Sequence, residues 1–164
     1  MMSVIWIVFA GLFAAAAFID GRTYRIPNWI PIALAVLFAI AAFASGEPVV
    51  DYWQNGALAV GVLAIGYLLY ALTGMGAGDA KLGAVAVLWA GLSGLYAWTF
   101  WLAVAMGVLA FGLIAARRLA KMATADGLPR QRILQRGAPV PLGIALAAAA
   151  ILASWKFDPS IWAF

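Results

Sequence analysis

Long apolar runs fill this 164-residue chain, and basic residues collect in every second gap between them. The runs cover about 3–19, 29–45, 55–72, 80–91, 95–116 and 138–155. The first gap holds Arg22 and Arg25, the third reaches Lys81, and the fifth carries Arg117, Arg118, Lys121, Arg130, Arg132 and Arg136. The second gap carries Glu47 and Asp51, with Tyr52 and Trp53 as interfacial anchors, and the fourth is the uncharged turn Leu92-Ser93-Gly94. A helix needs about 20 apolar residues to cross a bilayer, and Lys and Arg accumulate in cytoplasmic loops. The pattern predicts an all-α integral membrane protein with six transmembrane helices in one bundle, residues 1–164 forming a single domain. The N-terminus is expected outside, with nine of the ten basic residues at the cytoplasmic face. Five spans would scatter those charges. The fourth run is short, and crosses only if its helix extends past Gly91 or the bilayer thins. No basic residue precedes the first run, so it reads as a retained span and not a cleaved signal.

Composition narrows the chemistry. The chain is 67% hydrophobic and 10% charged, against roughly half and a quarter in soluble domains. That leaves no room for a separate soluble domain. Histidine and cysteine are both absent. Thiol catalysis, disulfides, Ser-His and Cys-His arrangements and His/Cys zinc sites are therefore excluded. The pI near 9.8 would suggest nucleic acid in a soluble protein. Here the basic residues set topology and contact anionic lipid, so no nucleic-acid partner, metal or organic cofactor is expected.

Two aspartates stand out because each borders a polar break on the same predicted side. Asp20 begins Asp-Gly-Arg-Thr-Tyr-Arg-Ile-Pro-Asn, ending at Asn28, and Asp79 follows Gly74, Gly76 and Gly78. Capping the helix that starts at Ala80 would explain Asp79 alone, and pairing with Arg22 or Arg25 would explain Asp20 alone. Three glycines before a carboxylate are more than a cap needs. Irregular backbone at membrane depth must line protein or a watery cavity. Two carboxylates in a poorly solvated site share one proton, so one can activate water while the other donates a hydrogen bond to a scissile carbonyl. A Ser-Lys dyad is disfavoured because Ser45 and Ser93 fall on the other side from Lys81 and Lys121. The alternative from another class is a small proton- or cation-coupled transporter using Asp20 and Asp79. Neither a midplane acid nor an inverted repeat supports it. Small-residue spacings at Ala57/Gly61 and Ala103/Gly107 suit close helix packing.

The segment from Asp20 to Asn28 resembles the D-x-R-x-x-x-I-P-N motif of prepilin peptidases, and Gly76-Ala77-Gly78-Asp79-Ala80-Lys81-Leu82 resembles their GxGDxKL signature. The chain is similar in size to the short members that serve tight-adherence (Flp-type) pili. The resemblance implies a bacterial inner-membrane, multi-pass aspartic endopeptidase with Asp20 and Asp79 as the catalytic pair. Gly76, Gly78, Lys81, Arg22, Pro27 and Asn28 would shape the site or bind substrate. The implied substrate is a prepilin or pseudopilin precursor whose basic leader is cut off at the cytoplasmic face. Longer members carry a cysteine-bearing insert and an N-methyltransferase activity; this chain has neither cysteine nor insert, so methylation is not expected here. Pro139-Val140-Pro141-Leu142-Gly143 is similar to the family's Pro-aromatic-Gly element, with Leu142 in the aromatic place.

Overall fold

In the computed structural model, residues 4–45, 52–73, 75–123 and 140–157 are described. Their apolar runs wind into five α-helices, because a backbone surrounded by apolar side chains must satisfy its own hydrogen bonds. These are α1 (Val4–Thr23), α2 (Trp29–Ala44), α3 (Trp53–Thr73), α4 (Ala77–Ala123) and α5 (Leu142–Ala153), with a short 3-10 turn over Ser154–Lys156. No strand occurs among the described residues. Three helices, α1, α3 and α4, are long and apolar enough to cross a membrane, while α2 and the last helix are shorter but apolar.

Helix α4 is two limbs. Gly91 has φ 58° and ψ −168°, far from helical values, and breaks the helix there. Trp98, Leu102 and Met106 of the second limb line one cavity with Gly83, Ala80 and Asp79 of the first, so the limbs lie side by side. The amide of Asn55 fills the break: its Nδ2 donates to the Leu88 carbonyl at 3.2 Å, and its Oδ1 lies 2.7 Å from where a Gly91 Cβ would be. The reversal expected over Leu92-Ser93-Gly94 thus sits at Gly91, and those three residues are helical. Glycine alone takes this backbone conformation without strain.

Helix α5 lies in the middle. Its buried residues Gly143, Ala145, Leu146, Ala147, Ala149, Ala150 and Ala153 cover more than half of its circumference, while Leu152 on the remaining side is exposed. Its small side chains let α1 and α4 pack against it. Helix α3 is peripheral, with Gly66 its one buried residue, and it packs on α4 where a Gly66 Cβ would stand 2.6 Å from the Ala80 Cβ.

One end of the bundle is locked by aromatic rings. Trp89 is fully buried between Phe9, with centroids 4.9 Å apart, and Phe38 at 5.4 Å, and its Nε1 donates to the Leu34 carbonyl at 3.0 Å. Phe157 meets Phe9 edge-on. Tyr52 meets Phe38 edge-on and shares a 3.0 Å hydrogen bond with Ser45. Tyr52 is therefore a core residue and not the interfacial anchor its sequence context suggests; Trp53 is the exposed one. Trp6 Nε1 donates to Ser154 Oγ at this end, whereas Asp20 meets Gly143 at the other, so α1 and α5 run antiparallel. The spacings Ala57/Gly61 and Ala103/Gly107 do not mark close contacts here: nothing approaches a Cβ built at Gly61 or Gly107 within 4 Å. Gly74, Glu47, Asp51, Arg130, Arg132, Arg136 and Pro139 lie outside the described residues.

Candidate active site

Asp20 lies in the last turns of α1, which continues through Gly21 and Arg22 to Thr23 instead of ending at the polar residues. Its side chain is buried, 4% exposed. A buried carboxylate needs hydrogen-bond donors, and α5 supplies one: the Gly143 N–H donates to Asp20 Oδ2 at 2.9 Å. Pro141, fully buried, precedes the helix with non-helical backbone. Gly143 is thus the second residue of α5, where N–H groups have no partner inside the helix and the dipole favours an anion. Only glycine fits there. A Cβ at 143 would stand 2.8 Å from Asp20 Oδ2 and 2.9 Å from Ile26 Cδ1.

Asp79 is the third residue of α4, inside its first turn. The helix begins at Ala77, so Asp79 is not the cap of a helix starting at Ala80, and the glycine break is shorter than the sequence suggests. Its backbone N–H donates to the Gly76 carbonyl at 3.0 Å. Its carboxylate lies against Gly76, with Oδ2 2.7 Å from a Cβ built there. Gly78 faces the other way, onto Ile26, whose Cβ would be 3.0 Å and whose backbone N and O would be 3.4 Å from an added Cβ. The two glycines have separate uses: one makes room for the acid, the other for the chain that follows Asp20.

That chain leaves α1 through Tyr24, whose φ of 55° turns the backbone away from the helix. The Tyr24 N–H still donates to the Asp20 carbonyl at 2.8 Å. Thr23 Oγ1 donates to the Ile19 carbonyl at 2.9 Å and lies 3.1 Å from the Arg25 carbonyl.

Asp20 and Asp79 line one cavity of about 490 Å³, with Tyr24, Thr73, Met75, Gly76, Val140 and Leu142. A second, almost wholly apolar cavity of about 240 Å³ shares Met75, Asp79 and Leu142 with the first. It continues between the limbs of α4 past Trp98 and Leu146. Two acids beside water-sized space, with an apolar recess behind, can bind and activate a water while one acid keeps a proton. Two carboxylates are also the whole metal-ligating set at this point, since no group of three Asp or Glu forms among the described residues.

The structure brings Asp20, Asp79 and Gly76 to one cavity, packs Gly78 on Ile26 beside it, and leaves the other expected residues elsewhere. Lys81 Nζ donates to Asn28 Oδ1 at 2.8 Å, and both line a different recess with Pro31 and Val85. They tie the two motifs together beside the acids, not within their cavity. Arg22 is exposed and stacks over the Phe18 ring at 4.2 Å. The Pro27 carbonyl accepts from the Ile30 N–H at 3.2 Å, shaping the entry to α2. Tyr24 was not singled out by sequence reasoning, and nothing in its neighbours marks a left-handed residue. Gly143 had a signal only in the Pro-Leu-Gly run.

A model of the type IV leader peptidase family matches residues 7–111, well over half of the chain. The match takes in both aspartates and ends before Gly143. No curated protein and no solved structure matches.

Proposed function

The chain belongs to the type IV leader peptidase family, and on that premise we propose that it is a membrane-embedded aspartic endopeptidase in which Asp20 and Asp79 cleave the basic leader from prepilin-like precursors. The observation that carries this reading is the shared cavity, into which residues nearly sixty positions apart deliver two carboxylates. In the proposed reaction the ionised acid takes a proton from water, and the water oxygen attacks the scissile carbonyl. The protonated acid donates to the carbonyl oxygen. Collapse of the tetrahedral intermediate breaks the C–N bond, and a proton passes to the leaving amine.

The proposed topology has six spans, the limbs of α4 counting as two, with the N-terminus outside. Alternate basic gaps support it, as does the clustering of Asp20, Asp79 and the start of α5 at one end of the bundle. On this orientation the acids open to the cytoplasm, where a basic leader would remain. The inner membrane of a bacterium, a prepilin or pseudopilin as partner and the absence of any cofactor complete the reading. Family membership does not favour the transporter alternative.

The test is cleavage of a leader-bearing precursor by the purified chain in liposomes, read by product mass. Wild type should release one leader, and Asp20→Asn and Asp79→Asn should be inserted but inert. Cleavage by either variant would overturn the assignment.

A further inference from the structure

Tyr24 combines three observations that its sequence position does not explain. It is the one residue other than glycine with positive φ among those described, a conformation that bulky side chains rarely adopt. Its hydroxyl is buried yet has no hydrogen-bond partner among the described residues. And it lines the cavity that holds both aspartates.

A buried hydroxyl without a partner is uncommon enough to need a reason. Among the described residues the Trp98 Nε1 shares this condition, whereas Tyr52 pairs with Ser45 and Trp89 with the Leu34 carbonyl. The remaining polar side chains of the cavity are occupied or lack donors. Thr73 Oγ1 donates to the Leu69 carbonyl at 2.7 Å. The Gly143 N–H is spent on Asp20, and a carboxylate pair sharing one proton has one donor to offer. Yet attack on a peptide carbonyl builds charge on its oxygen, which catalysis must stabilise with fixed donors.

We propose that the Tyr24 hydroxyl is a catalytic hydrogen-bond donor that holds the scissile carbonyl oxygen of the bound peptide beside Asp20 and Asp79. The assignment rests on the peptidase reading above. Tyr24 keeps its own O–H bond throughout; it shortens its hydrogen bond as the carbonyl oxygen gains charge and relaxes when the C–N bond breaks. The left-handed backbone at Tyr24 ends the α1 spiral and leaves the residue lining the cavity with its hydroxyl covered, so the phenol reaches the peptide carbonyl by turning outward as the peptide binds. The phenol finds its partner in the peptide.

The test is Tyr24→Phe in the full chain, in the same liposomes and with the same precursor. It should lower kcat about 100-fold, as loss of one such donor does, with KM little changed and thermal unfolding in detergent unshifted. Wild-type kcat in Y24F would overturn the assignment, and so would a lower melting temperature with unchanged kcat per folded molecule. Wild type and D20N run alongside separate the two readings. Cleavage by wild type with an inert D20N leaves the aspartate pair standing whatever Y24F does, whereas cleavage by D20N removes both. If Y24F is not recovered folded, a ring-fluorinated tyrosine at position 24 keeps the packing and strengthens the donor. A changed kcat at constant KM then supports the assignment, and an unchanged kcat overturns it.

Discussion

The amide of Gly143 reaches the carboxylate of Asp20 at 2.9 Å, joining the first turn of α5 to the last turns of α1 across 123 positions of chain. This contact holds one of the two acids in place, and it requires a residue without a side chain. Gly143→Ala retains the N–H but forces a methyl against Asp20 Oδ2 and Ile26 Cδ1. Cleavage should fall about 100-fold, the effect of a misplacement near 1 Å, while stability drops by about 1–3 kcal/mol. Activity assays and thermal unfolding in detergent measure the two separately. An alanine variant with wild-type kcat would show that Asp20 does not depend on this contact.

Lys81 should behave differently from Asp79 despite lying two residues away. Its hydrogen bond to Asn28 is exposed, and such contacts contribute about 0–1 kcal/mol. Lys81→Met should therefore cleave close to the wild-type rate, against a loss of about 10²–10⁴-fold for Asp79→Asn as a general acid or base is removed. Equal losses in the two variants would place Lys81 in the chemistry.

Gly66 tests the seam between α3 and α4. A side chain there meets the Ala80 Cβ at 2.6 Å and the Ala80 Cα at 3.1 Å, and Ala80 adjoins Asp79. Gly66→Val should cost about 1–3 kcal/mol through overpacking, and the push on Ala80 should lower cleavage as well. A melting temperature unchanged from wild type would mean that α3 yields freely.

Gly91 tests the reversal in α4. Its dihedrals belong to a region open to glycine almost alone, so Gly91→Ala should cost about 1–3 kcal/mol, and the methyl also meets the Asn55 amide. Asn55→Leu, which removes the hydrogen bond to Leu88 without touching Gly91, should destabilise by about 1 kcal/mol. Denaturation of both variants in the same detergent gives the comparison.

Much of this was legible in the sequence because hydropathy and charge act locally. The apolar runs locate the helices, and the two glycine- and proline-bearing breaks locate the aspartates. What escaped depends on contacts between distant segments. Tyr52 looks interfacial beside Trp53, and only the arrival of Phe38 makes it core. Ala57 and Gly61 have the spacing of a helix seam, but Gly66 makes the contact. Lys81 is two residues from Asp79 and so on another face of the helix, but its partner there, Asn28, comes from a distant segment. Tyr24 has no local pattern that announces it, being defined by a backbone torsion, and Gly143 is marked only by the Pro-Leu-Gly run while its use depends on the α1 carboxylate it meets.

The Gly91 reversal has a consequence for the spacing of the chain. The first limb of α4 is anchored by its break at one end and bears Asp79 at the other, so the number of residues between them sets where the acid points. One residue inserted between 82 and 90 would swing the carboxylate about 100° around the axis and shift it about 1.5 Å along it. The acid would be present but aimed away from its partner. Natural variants of this bundle should therefore tolerate length changes in the segments that join helices, while the twelve-residue interval from Asp79 to Gly91 stays fixed.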